Sequence, residues 1–238
     1  LLWQGRELTG QPAEDSAFEG MDIVLGAAEN DIAKKFAPAI VKAGAVFVDN
    51  SSAFRMDPNV PLVIPEINPE DVRRHKGIIA NPNCTTIVSL VAINALNQDS
   101  PIESIVASSY QATSGAGAGG PIELMNEVEA LREGKSYEPK VFQYQIAYNV
   151  IPQIGGRKIM HLPELKVSCT CVRVPVVRSH SVSIVVRTKE NISVERAREL
   201  IAAAPGCRLV DDLKNKKYPM PLDTSDQDTV FMGRIRDD

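Results

Sequence analysis

The chain has 238 residues, 44% hydrophobic and 24% charged, with a formal net charge of −4. This is an ordinary globular composition, and it gives no general attraction to nucleic acid or anionic membrane, so neither is expected as a partner and small-molecule chemistry is favoured. The longest apolar stretch, around Ile87 to Ile93, is far short of the ~18 residues a membrane span needs, and the start at Leu1-Leu2-Trp3 does not read as a signal peptide, so a soluble cytoplasmic protein is expected.

Met21-Asp22-Ile23-Val24-Leu25 is predicted as a short buried strand. Asn30 is predicted to cap a helix on which Ile32, Phe36, Ile40 and Ala43 recur at helical spacing, with Gly44 ending it and Pro38 kinking or locally opening it. Ala45 to Asp49 resumes as a strand, and Gly77 to Ala80 forms another short apolar run. This β-α-β order is expected to form the later portion of a parallel, doubly wound, Rossmann-like sheet over residues 1–80.

The run Cys84 to Leu96 reads as a buried helix with Ile87, Val88, Val91 and Ala95 on one face. Alternation in Ile102 to Tyr110, Val167 to Val177 and Val182 to Arg187 predicts an antiparallel or mixed sheet, with helices at Pro121 to Arg132 and Ser193 to Ala204. A strand is expected again from Thr229. The fold class is therefore α/β: a partial doubly wound domain, then an α+β catalytic and dimerisation domain over residues 81–238.

The four cysteines show no C-x-x-C pair and no disulfide framework. Cys169 and Cys171 are expected on one side of a strand as buried thiols, and no metal site is expected. Cys84 is different, because it stands between Asn83 and the first turn of a helix, where unpaired N–H groups and the positive dipole end favour thiolate. A nucleophile and a buried helix cysteine are both compatible with that position. Of three histidines, His180 lies at the junction of two predicted strands and is the better base for Cys84; a surface-loop histidine is the plainer reading. Arg173 interrupts an apolar alternation and Arg55 follows a polar turn; each suits a carboxylate or phosphate, or an internal salt bridge. Gly115 to Gly120 contains G-x-G-x-x-G, but its place in the second sheet argues against a dinucleotide fingerprint. Small residues there let backbone approach a ligand, beside Gln111 and Ser114, or simply turn the chain.

Taken in order, Asp49-Asn50-Ser51-Ser52-Ala53-Phe54-Arg55, Ile64-Pro65-Glu66-Ile67-Asn68, Asn81-Pro82-Asn83-Cys84-Thr85-Thr86, Ser109 to Gly117, and Cys171-Val172-Arg173-Val174-Pro175-Val176 through His180-Ser181 resemble the bacterial aspartate-semialdehyde dehydrogenases. The resemblance implies reversible, phosphate-dependent conversion of aspartate semialdehyde and NADP to aspartyl phosphate and NADPH, at a branch point toward lysine, methionine and threonine. It implies Cys84 as nucleophile, His180 as the proton-handling group, Arg173 on the substrate carboxylate, Gln111 positioning substrate, Arg55 and Lys158 on phosphate, and Ser114-Gly115 against the nicotinamide. It also implies a homodimer through the second domain's sheet.

Against the family pattern, the first strand with its glycine-rich phosphate turn, the C-terminal helix and a longer segment near Gly155-Gly156-Arg157-Lys158 are expected to be missing, so that the isolated chain binds NADP weakly. The alternatives are an N-acetyl-glutamyl-phosphate reductase, a cofactor-independent hydrolase using Cys84 and His180, and an inactive remnant.

Overall fold

The structure is a computed structural model that describes residues 2–154 and 165–237. They form two compact units, Leu1–Cys84 and Thr85–Asp238.

In the first unit, β1 (Leu2–Trp3) and β2 (Arg6–Glu7) make a small antiparallel ladder. β3 (Ile23–Gly26), α1 (Asn30–Lys42), β4 (Val46–Asp49) and β5 (Ile78–Ala80) follow, and the strands pair in parallel in the order β3-β4-β5. The β-α-β order read from the sequence is the one observed. One face of α1 supplies Ala33, Phe36, Ala37 and Ile40, which pack with Phe47, Val24 and Ile78 of the sheet; burying a side chain the size of Ile40 contributes about 1.5–3 kcal/mol. Lys42 complements the dipole in the last turn, and Gly44, at φ +86°, lets the chain reverse while its amide and that of Ala45 bond the carbonyls of Val41 and Ile40.

Two expectations are corrected here. Glu29, not Asn30, stands at the helix N-cap, and Asn30 instead binds across to Ser52. Pro38 lies inside α1, with Phe36, Ala37 and Ile40 buried around it. α1 covers only the face that bears Val24, so Ile23 and Leu25 point outward, Leu25 77% exposed, and β3 is not a buried strand; Ile32 is likewise exposed.

The second unit contains α2 (Cys84–Asp99), whose first residue closes the first unit, β6 (Ile102–Gln111), α3 (Gly119–Arg132), β7 (Lys166–Arg173), β8 (Ser181–Thr188), α4 (Val194–Ala203), β9 (Cys207–Leu209), α5 (Pro221–Thr224) and β10 (Val230–Met232). Its main sheet has the order β7-β6-β8, with β6 parallel to β7 and antiparallel to β8. The sheet is mixed, one of the two forms expected. Ala92 and Ile93 of α2 pack on Ile105 and Ala107 of β6, while the alternate residues Val106 and Tyr110 face outward beside Val185. α4, capped by the Ser193 hydroxyl, packs Ala197 and Ile201 on Leu96 of α2. Burial on α2 shifts from the stripe expected to Val91, Ala92, Ile93, Ala95 and Leu96, because sheet and α4 grip different sides of its second half.

Two further differences lie on β7. It ends at Arg173, and the backbone turns away through Val174 and Pro175, which cannot donate to a ladder. Cys169 and Cys171 share one side of the strand, their sulfurs 3.6 Å apart, but Cys169 is exposed, because β7 lies at an edge of the sheet. Among the described residues no helix is long and apolar enough to cross a membrane.

Candidate functional site

The polar groups of the first unit gather where its parallel strands end at their carboxyl edge, the place where open α/β sheets take ligands. Asp49, fully buried at the end of β4, accepts from the amide and hydroxyl of Ser51 at 3.0 and 2.8 Å, and the Ser51 hydroxyl accepts from the amide of Ala53. These bonds set the turn that delivers Arg55. Its Nε donates to the Asn81 carbonyl at 2.8 Å and its Nη2 to the Asn50 carbonyl at 2.9 Å, and Asn81 Nδ2 donates to Asn50 Oδ1. Among the described residues nothing takes the Nη1 edge of this guanidinium, whose planar fork suits phosphate. Burial lowers the Arg55 pKa, and the Cys84 sulfur and Asp49 act against that shift. Arg55 and Cys84 thus belong to one electrostatic neighbourhood. Cys84 is exposed, as the first residue of α2.

The second unit gathers its own set at the ends of β6 and β7. Gln111 and Arg173 are register partners on the buried face, 5% and 7% exposed. Arg173 Nη1 donates to the Ala112 carbonyl at 2.6 Å, and its guanidinium lies 5.7 Å above the Phe142 ring. His180 arrives from a turn in which Ser179 has φ +70°, held by a 2.6 Å contact between the Ser179 and Thr224 hydroxyls and by the Arg178–Asp226 ion pair. The Ala112 amide donates to His180 Nδ1 at 3.0 Å. A backbone N–H can only donate, so Nδ1 is an acceptor and the imidazole proton sits on Nε2. Burial and the nearby Arg173 cation lower the His180 pKa and so disfavour the protonated ring.

Ser114 and Gly115 lie in the tight turn Thr113–Ala116, which the amides of Thr113 and Ser114 tie to the carbonyls of Val176 and Val177. A Cβ on Gly115 would come 2.9 Å from Arg173 Nη1 and 3.0 and 3.1 Å from Cε1 and Nε2 of His180. The glycine therefore leaves open the space between guanidinium and imidazole. Gly115→Ala is expected to fold with an unchanged melting temperature and to lose on the order of tenfold in kcat/KM by displacing one of the two groups; steady-state kinetics beside thermal unfolding check this.

The structure thus brings Gln111, Arg173, His180, Ser114 and Gly115 together in one unit, and Cys84 with Arg55 in the other. Lys158 lies outside the described residues. Sequence reasoning missed Glu123 and Glu127 of α3, both buried and both bonded to loop amides. Their signal was a pair of carboxylates at i, i+4 alternating with Leu124 and Val128 on one helix stripe. It also missed Phe142 and the Asn30–Ser52 clasp.

Residues 2–75 match the family model of the semialdehyde dehydrogenase NAD binding domain, and residues 93–158 and 155–238 match that of the semialdehyde dehydrogenase dimerisation domain. The chain is 44% identical over 255 residues to an aspartate-semialdehyde dehydrogenase of Synechocystis sp., covering 100% of this chain and 75% of that one. It is 45% identical over 260 residues to that of Aquifex aeolicus, covering 100% and 76%. The crystal structure of aspartate semialdehyde dehydrogenase II from Vibrio cholerae complexed with ASA superposes with a TM-score of 0.85 at 35% identity, covering 91% of this chain and 70% of that one.

Proposed function

This chain belongs to the aspartate-semialdehyde dehydrogenase family, oxidoreductases acting on an aldehyde, and on that premise we propose that it interconverts aspartate semialdehyde and aspartyl phosphate through a thioester on Cys84, with NADP as its cofactor. The observation that carries the reading is the approach of Arg173 and His180 to the space beside Gly115, a guanidinium, a neutral N–H donor and an exposed backbone, with Gln111 the register partner of Arg173.

In the biosynthetic direction the Cys84 sulfur bonds to the acyl carbon, the carbon–oxygen bond to phosphate breaks, and the departing phosphate takes up one proton. Arg55, with Lys158, holds that phosphate. Arg173 takes the substrate carboxylate, and Gln111 orients the substrate. Ser114 and Gly115 would hold the nicotinamide, since only a residue without Cβ leaves room between Arg173 and His180, and NADPH bound there would supply hydride. Once reduced, the Cys84 thioester would carry an oxyanion on its former carbonyl carbon, and collapse of that adduct restores the carbonyl, expels the sulfur and frees the semialdehyde. His180 Nε2–H steadies that oxyanion as a hydrogen-bond donor, a part suited to a ring whose Nδ1 is already engaged by the Ala112 amide. That collapse does not need His180 to act as a base.

The same reading makes the protein a cytoplasmic homodimer serving lysine, methionine and threonine synthesis. The dimerisation-domain match and the outward apolar residues Val106, Tyr110 and Val185 on one face of the main sheet support the dimer.

The test is turnover by the full-length enzyme. Aspartate semialdehyde, phosphate and NADP are expected to yield reduced cofactor, with dependence on phosphate and a slower rate with NAD. Preference for N-acetyl-glutamate semialdehyde, or ester hydrolysis without cofactor, would overturn the assignment. Protonating His180 keeps Nε2–H but places a proton on Nδ1 and breaks the Ala112 bond that orients the ring, so the fold favours the neutral, oriented ring to lower pH than an unperturbed imidazole allows. The acid limb of the rate that belongs to His180 is expected below the ordinary value of 6.5; a His180-dependent limb at or above it contradicts the assigned tautomer.

A further inference from the structure

We propose that Glu123, acting through Phe142, is a positioning residue that fixes the Arg173 guanidinium for the substrate carboxylate. The inference rests on the reading of Arg173 given above.

Glu123 is buried on α3 and accepts three backbone amides. Those of Lys140 and Val141 lie 2.7 Å from Oε2, and that of Phe142 lies 2.9 Å from Oε1. Burial alone would raise its pKa, but the amides of Phe142, Lys140 and Val141 and the charge of Lys140 outweigh that and hold it below the usual carboxylate range. One helical turn on, Glu127 Oε2 takes the amides of Ile146 and Ala147 at 2.8 and 2.7 Å. Segment 140–151 is thereby strapped along α3 at two points.

What the strap carries is specific. The third residue anchored by Glu123, Phe142, puts its ring under the Arg173 guanidinium at 5.7 Å, within the range of a cation–π contact. Its far end, Ile151, exchanges both backbone hydrogen bonds with Arg173, at 3.0 and 2.8 Å. Arg173 is therefore gripped at its backbone and at its charged head by one segment that α3 carboxylates hold. A Cβ at Gly120 would lie 3.2 Å from the Phe142 ring, so α3 also limits where that ring can go. A guanidinium on a long flexible stem loses little on binding an anion when its orientation is set beforehand.

Glu123→Gln keeps the shape but presents an amide N–H₂ where an N–H donor arrives, and Phe142→Leu keeps an apolar side chain but removes the ring face. Each is expected to raise KM for aspartate semialdehyde on the order of tenfold, leaving KM for phosphate unchanged and kcat within about threefold. The double variant is expected to be no worse than the poorer single one, because both act on the same contact. A merely structural role would instead lower the active fraction, reducing kcat and leaving both KM values alone. Arg173→Lys separates the two ideas. If it raises KM for the semialdehyde while Glu123→Gln and Phe142→Leu do not, the positioning proposal is wrong; if it leaves KM unchanged, the reading of Arg173 itself fails.

Discussion

Cys84→Ala is expected to reduce dehydrogenase turnover by about 10⁴-fold or more, since the covalent route loses its only bond-forming atom. The loss should come without unfolding, because Cys84 is exposed and its removal opens no cavity. Of the other thiols, Cys169, although exposed at the strand edge, is pushed up to about 11 by partial desolvation and by the hydrogen bond and charge of Cys171, and the Cys207 thiol is engaged with the Val91 carbonyl. Substrate binding should persist in the alanine variant, because the proposed carboxylate-binding residue, Arg173, is unchanged in it. Steady-state rates with equilibrium binding of the semialdehyde check this, and residual turnover above about 10% of the parent rate would contradict it.

Arg173→Leu is expected to raise KM for aspartate semialdehyde by roughly 10²- to 10³-fold, the cost of removing one partner from a buried, hydrogen-bonded charge pair. Arg173 is 7% exposed, so it meets the substrate carboxylate where water competes weakly. Its Nη1 donates to the Ala112 carbonyl and lies beside Gly115, next to the His180 ring. KM for phosphate should not change, because Arg55 answers to the turns after β4 and β5 rather than to β7. A rise of less than threefold for the semialdehyde would show that the carboxylate is held elsewhere.

Much of this was legible in the chain itself. Alternation in Ile102 to Tyr110 gave β6, and helical spacing with Gly44 at the end gave α1, because those signals depend on one element burying one face. Arg173 stood out for the cost of a charge in an apolar strand, and that cost is met by partners from distant segments, Ala112 and Phe142. What could not be read was set by tertiary partners. Asn30 prefers Ser52, across the sheet edge, to its own helix terminus. Cys169 follows a buried pattern on a strand that proves to be an edge. Glu123 and Glu127 look like ordinary surface charges until segment 140–151 brings five amides to them. The His180 tautomer depends on a single amide that arrives from 68 residues away.

Mixing the protein with aspartyl phosphate in the absence of nicotinamide cofactor, followed by acid quench and peptide mass mapping, reads the covalent chemistry itself. One aspartyl group on the peptide that contains Cys84, discharged when NADPH is added before the quench, is the expected result. An adduct on any other residue, or none while turnover proceeds normally, would contradict a thioester at the head of α2.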